Sequence, residues 1–498
     1  MGLPNVTTAA PSGSGPRATT PPRVLPTSEH LTARLGELAA QANIPGASIA
    51  VRLGDKTVTA ATGVLDAVTG YPATTDSIFQ IGSITKVWTA TLIMQLVDEG
   101  VIELDAPVRT YLPEFRVVDE AATKSVTIRQ LLCHTGGFEG DVFEDHGPGD
   151  DAVERLVAAL ATVAPQIHAP GEMFSYANSG YVVLGRVVEV LTGQTWEAAL
   201  RERVVAALDL GQVATSPDEA ILHRVAMGHA PDPEGGHVKT PWAMPRSNAP
   251  AGSTLATTAA ELLAFAAAHA ALGLLPDGTR LLSEASARAM CEPQIPVPGR
   301  GLLGKSWGLG WILYDWPGGP VIGHDGGTIG QRAMLRIAPE HGLSIAILTN
   351  GGDLYALQAL VREVFADLAD IEVPRPPTPP ADPAAVDPRF FTGRYSSEAA
   401  MIDIVETETE NGFTITTRPR GAVAAMVGND TAVTTAVVAL DERTLIATTP
   451  QGGVHTVYAF IGDQDRARYV HAGRATRRSA PTGTEQAAAD LVETGPAR

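Results

Sequence analysis

Apolar residues alternate or run nearly unbroken through ASIAVRL (47–53) and KTVTAATG (56–63), a spacing that predicts two strands near the start of the chain. From about residue 85 to about 290 they fall at threefold and fourfold spacing instead, as in ATTAAELLAFAAAHAAL (256–272), and predict helices. Strand texture returns at QRAMLRIA (331–338) and LSIAILTN (343–350), which flank the turn PEHG and predict a hairpin. The stretch LYALQALVREVFADLAD then reads as a closing helix. Strands at both ends with helices between them predict an α+β domain: one antiparallel sheet built from both ends, beside an inserted helical region.

A Pro-rich passage, VPRPPTPPADPAAVDP (373–388), breaks these patterns and predicts a stiff, extended linker. Beyond it the texture changes to short alternating runs: MIDIVETET, a turn at Asn411-Gly412, FTITTRP, then 431–440, 443–449, 453–461 and 467–473. These predict a small antiparallel barrel over 389–477. The division expected is therefore an unordered arm (1–27), a main domain (28–372), the linker, the barrel and a mobile tail (478–498).

The formal charge of −19 and pI near 5.0 argue against a nucleic-acid or anionic-membrane partner, either of which would need a basic face. No window approaches 18 unbroken apolar residues, and residues 1–27 lack the charged start and apolar core of a secretory signal, so a cytoplasmic location is expected. The cysteines, Cys133 and Cys291, fit neither a disulfide framework nor a zinc spacing. No metal or other cofactor is expected, His134 having no companion ligands in the sequence.

Three short stretches carry candidate chemistry. In FQIGSITK (79–86), Ser83 and Lys86 stand three apart at the start of the apolar stretch ITKVWTATLIMQLVDEG, which predicts a buried helix. At that spacing both side chains leave the same face, so the amine can reach the hydroxyl. Burial and the positive end of the helix dipole would both lower the lysine pKa from about 10.4, as a general base requires. The competing reading is a serine N-cap followed by a lysine whose stem lies on apolar surface. In GEMFSYANSGYVVLGRVVEVLTG, Tyr176 and Asn178 stand before a helix ending at Gly193; the phenol could move a proton and the amide could bind a substrate carbonyl, or both belong to an ordinary turn. In VIGHDGGTIG (321–330), His324 stands on or beside an expected edge strand, where it could orient a carboxylate or relay a proton. Gly326 and Gly327 there allow a substrate backbone to approach closely.

Together and in this order, SITK, YAN and HDG resemble the Ser-x-x-Lys, Tyr-x-Asn and His-x-Gly motifs of the serine β-lactamase and penicillin-binding-protein superfamily. The likeness is greatest to class C β-lactamases, D-aminopeptidases, esterases and penicillin-binding-protein-type thioesterases. LDAPVRTYLPEF, VTIRQLLCHTGGF and APAGSTLATTAAELLAFA are similar to its connecting segments, so the resemblance spans about residues 28–372. It implies a β-lactamase/transpeptidase-like fold followed by a lipocalin-like barrel. It implies Ser83 as the acylated nucleophile, Lys86 as general base and Tyr176 as proton shuttle. Asn178, His324 and Gly326 would bind substrate, and the backbone amides of Ser83 and Gly327 would form the oxyanion hole. Histidine stands where β-lactam-binding members carry lysine, which argues against efficient β-lactam hydrolysis.

The resemblance implies an acyl-enzyme hydrolase acting on small-molecule or peptide amides and esters, including those with D-residues. A rival uses the same residues on a carrier-bound peptide thioester and releases it as a macrocycle. A third is a catalytically silent binding or sensor protein. Within the acidic loop 137–151, Asp141 and Glu144 are candidates to bind a substrate amine, against the plainer reading of a solvated loop.

Overall fold

The computed structural model describes residues 23–479, apart from 233, 300–301, 409–411, 422 and 425–430. Most of the expected arm, up to residue 22, and of the expected tail, from 480, lies outside the described residues, as does Asn411 of the expected turn. Arg23, by contrast, reaches Asp370 at 2.5 Å, and Thr27 caps the helix Ser28–Gln41.

Among the described residues, nine antiparallel strands form the main sheet. The strand Gly46–Leu53 lies between Lys56–Asp66 and Leu343–Thr349, with Ile49 opposite Ile347, so both ends of the domain do build one sheet. The hairpin partner Arg332–Ala338 follows, then Gly319–Gly327. Successive residues serve two cores: Ala333, Leu335 and Ile337 face the helical region, whereas Met334 and Ala338 face the helices Ser28–Gln41 and Gln358–Ala369. A sheet covered on both faces explains the nearly unbroken apolar run LSIAILT.

The helix Thr85–Asp98 runs through the larger core and is buried on nearly every side. Trp88 stacks on Phe265 of the helix Ala259–Ala270 at 4.2 Å between ring centres. That second helix starts later than its pattern suggests, because Ala256–Thr257 pairs with Phe79–Gln80 and Thr258 caps the helix. The small strand pairing places the residues before Ser83.

Among the described residues, eight strands from Gly393–Ser396 to Ala475–Arg478 close an antiparallel barrel around Phe391, Tyr395, Ile415, Leu445 and Phe460. Six of these were legible as alternating runs. The closing pair, GRYS and ATRR, is short and polar and gave no periodic signal; the last strand also runs one residue past the expected boundary at 477. Val373 of the linker is buried, and Glu372 N donates to Pro317 O at 2.8 Å, so the linker begins packed on the main domain. No described helix is long and apolar enough to cross a membrane.

Candidate active site

Ser83 lies in the 3-10 turn Gly82–Ile84, which leads directly into the helix Thr85–Asp98. No side chain caps that helix, so the serine does not act as its N-cap. Gly82 has φ +52°, and a Cβ there would meet Gly327 N at 2.4 Å. The turn is thus pressed against the strand Gly319–Gly327, which only an unsubstituted backbone permits.

Lys86 is fully buried, and its Nζ lies 3.1 Å from Ser83 Oγ, 2.7 Å from Asn178 Oδ1 and 2.6 Å from Ala251 O. The last two atoms can only accept hydrogen bonds, whereas the serine hydroxyl can also donate. An uncharged amine therefore spends its two N–H bonds on Asn178 and Ala251 and turns its lone pair to Ser83. Burial lowers the Lys86 pKa well below the ordinary lysine value; Arg474 lowers it further and Asp141 opposes.

Tyr176 packs against this pair, with Lys86 Nζ 5.0 Å from its ring centre. Its buried hydroxyl neighbours Ser83 without a directed hydrogen bond among the described residues. Burial raises its pKa, outweighing the lowering by Ser83 and Arg474, so the group stands as a protonated phenol near neutral pH. Asn178 opens the helix Asn178–Thr192; its amide donates to Asp141 Oδ1 at 2.8 Å while its carbonyl holds Lys86. Gly193 ends that helix in the left-handed conformation, φ +69°.

The strand carrying His324 is interior to the sheet, not an edge strand. Its neighbour Ile312–Trp316 stops opposite Gly323, however, so residues 324–327 are paired on one side only. This leaves a local open edge beside Ser83. A Cβ on Gly326 would fall 1.8 Å from Ile81 O and 3.1 Å from Ser83 N. His324 Nδ1 contacts Asp325 O at 2.6 Å, which fixes the proton on Nδ1 and leaves Nε2 as an acceptor. Burial, with help from Lys86, lowers its pKa to about 3, so His324 is neutral near pH 7 and offers no charge to a carboxylate.

The barrel closes the site. Tyr176 N donates to Gly473 O at 3.1 Å, Ala475 N donates to Ser175 Oγ at 3.1 Å, and His471 Nε2 lies 2.9 Å from Phe174 O. Arg474, on the same turn, sits 5.1 Å from the Tyr176 ring and pairs with Asp141. Ser83, Tyr176, His324, Arg332 and Arg474 line one cleft of about 520 Å³. Asp141 is thereby committed to Arg474 and Asn178, whereas Glu144 is partly exposed and lies 3.3 Å from His146 Nε2, so the two carboxylates do not stand as a free pair for an amine. Among the described residues no cluster of His, Cys, Asp and Glu could hold a metal ion.

The family described as "Beta-lactamase" matches residues 31–364. The chain belongs to the β-lactamase family. It is 44% identical over 377 residues to penicillin-binding protein 4 of Amycolatopsis lactamdurans, covering 74% of this chain and 97% of that one. Esterase EstB of Burkholderia gladioli is 30% identical over 343 residues, covering 61% and 85%. The crystal structure of SurE matches with a TM-score of 0.72 at 26% identity, covering 91% of this chain and 99% of that one, so the likeness takes in the barrel. A structure of SurE with D-Leu matches over the same extent, with a TM-score of 0.70 at 25% identity.

Within this serine-hydrolase fold, two contributors were not assigned to the site from sequence. His134, considered from sequence only as a metal ligand, accepts from Ala177 N at its Nδ1 at 3.0 Å and from Ser175 N at its carbonyl at 2.9 Å, and its ring lies 4.3 Å from that of Tyr176. It therefore shapes the turn that presents Tyr176, and its place in CHTGGF was the available signal. Arg474 had none, since nothing local in the chain announces that a barrel turn returns to residue 141.

Proposed function

We propose that this β-lactamase-family member is a serine acyltransferase that forms an acyl-enzyme on Ser83 with peptide-like amides or esters. The observation that carries this reading is the buried Lys86 amine, whose one contact able to give up a proton is the Ser83 hydroxyl. Lys86 takes that proton as Ser83 Oγ attacks the carbonyl. The amides of Ser83 and Gly327 receive the developing oxyanion, and Tyr176 gives its proton to the leaving group as it recovers the one held by Lys86, which returns the amine and the phenol to their starting states. Asn178 holds Lys86, and the open edge at His324–Gly327 can pair with an extended substrate backbone, as added strands do elsewhere. The neutral His324 supports substrates other than β-lactams. The match to SurE, solved with D-Leu, supports peptides containing D-residues.

A second reading, transfer of the acyl group to an amine of the same peptide, is supported by the barrel, whose residues Gln451, Gly452 and Arg474 line the cleft beside Ser83 and could hold a bound peptide's amine near it. A carrier-bound thioester would supply that acyl group. Incubation with a fluorophosphonate and with D- and L-aminoacyl esters and peptidyl thioesters tests both. An adduct on Ser83 is expected, and product masses separate hydrolysis from cyclisation; absence of any Ser83 adduct would overturn the acyl-enzyme.

A further inference from the structure

A second cavity, of about 610 Å³, adjoins the catalytic cleft: Leu303, Tyr355 and Arg474 line both. Three separate parts of the chain enclose it. The end of the main sheet contributes Val297, Tyr314 and Trp316, the linker contributes residues 373–377, and the barrel contributes residues 454–457. Close approaches hold these parts together. A Cβ on Gly473 would lie 3.1 Å from Leu303 Cδ1, and one on Gly299 would lie 3.3 Å from Ala459 Cβ. The linker, which from its composition is a mere spacer, is here a wall.

The lining indicates what fits. Arg336, almost wholly buried, is matched by Asp325 at 2.5 and 3.0 Å and lies over the Tyr314 ring at 4.7 Å, so this wall is charge-balanced. The other ion pair at the cavity, Lys305–Asp315, is exposed to solvent. Arg474, paired with Asp141, and the exposed Arg375 of the linker also line it, and valine, leucine, proline and aromatic side chains make up much of the rest. A mostly apolar chamber is matched by a ligand with apolar groups, and a peptide segment with bulky apolar side chains supplies them.

We propose that this chamber is a substrate subsite that takes an apolar peptide segment remote from the bond attacked by Ser83, with the linker and barrel setting the preferred length and side chains. The proposal rests on the Ser83 acyl-transfer reading, because Leu303, Tyr355 and Arg474 are what join the chamber to the cleft.

The test uses the full chain with two chamber-filling variants, Val457→Trp and Pro376→Trp, each checked by thermal melting. Substrates are p-nitrophenyl acetate and matched peptidyl esters extended with Leu and Trp on either side of the ester. Binding of the same peptides to a Ser83→Ala protein, with and without Val457→Trp or Pro376→Trp, is followed by calorimetry. We expect kcat/KM for at least one extended series to fall tenfold or more in the filled variants, with acetate turnover and fluorophosphonate labelling within twofold of the parent. Peptide affinity in the Ser83→Ala background should weaken to the same degree. Peptide binding and extended-substrate turnover that ignore both substitutions would overturn the chamber while labelling of Ser83 persisted. Loss of labelling in the parent, with peptide binding still sensitive to Val457→Trp, would instead overturn the acyl-enzyme.

Discussion

Arg474, on the turn between the last two strands of the barrel, holds Asp141 of the main domain in a two-point ion pair, with Nε–Oδ2 at 2.5 Å and Nη2–Oδ1 at 3.0 Å. Asp141 also accepts from Asn178, which holds Lys86, so the barrel is linked to the proposed general base through two side chains. Arg474 lowers the Lys86 pKa and Asp141 raises it. Removing either partner should therefore shift the pH profile in opposite directions. Arg474→Gln is expected to move the rising limb of kcat/KM to higher pH, and Asp141→Asn to lower pH. Titrating kcat/KM for a p-nitrophenyl ester checks this, and shifts of the same sign would sever the proposed link.

Lys86→Met should reduce acylation by about 10²–10⁴-fold, the usual contribution of a positioned general base. The fold should survive. The substitution strands Asn178 Oδ1 and Ala251 O without a donor, costing about 1–3 kcal/mol each, but it also relieves the burial of an amine. Burst kinetics with a chromogenic ester measure the first effect and circular dichroism melting the second. A variant without a cooperative melt would mean that Lys86 serves packing.

What the sequence disclosed follows from which interactions are local. The strand pair around residues 338 and 343 and the helix after Ser83 are written in periodicity and turn chemistry, and both were legible. The Ser83–Lys86 contact was legible too, since three residues of one helical turn suffice to make it. The contact between Ala251 O and Lys86 crosses 165 residues and has no local signature. The same holds for Arg474, whose partner lies 333 residues away. His324 was legible as a position but not as a state: its neutrality comes from burial, which spacing does not report. The barrel's closing strands carry no alternating pattern of their own: Gly393–Ser396 and Ala475–Arg478 are held by pairing with each other and with their neighbours Ala400–Glu406 and Ala467–His471.

Acid should destabilise the protein in a defined window. His269 and His324 have pKa values lowered to about 3, and His471 to about 4, in each case chiefly by burial. The unfolded chain then binds more protons than the native one between those values and about 6.5, so stability rises with pH across that range and is lost on acidification through it. Lys86 has the same sign at higher pH, below the ordinary lysine value. Urea unfolding at pH 4, 5, 6 and 7 should give steadily increasing stability. The His269→Gln variant should show a shallower slope, and an unchanged slope would remove His269 from this account.

Glycine at 326 is required by contact, not by backbone conformation. A Cβ there would lie 1.8 Å from Ile81 O, a backbone atom that cannot rotate away, so Gly326→Ala must push the strand Gly319–Gly327 off the turn that carries Ser83. The two amides proposed to form the oxyanion hole would then separate, and removal of one such donor typically costs about 10²–10³ in kcat. Overpacking should also lower stability by about 1–3 kcal/mol. Gly211→Ala is the control, because a Cβ there meets nothing nearer than Glu261 Oε1 at 4.0 Å. Fluorophosphonate labelling and thermal melting of both variants make the comparison. Normal labelling of Gly326→Ala would mean that the amide of Gly327 is not needed beside Ser83, and the oxyanion hole would have to be sought elsewhere.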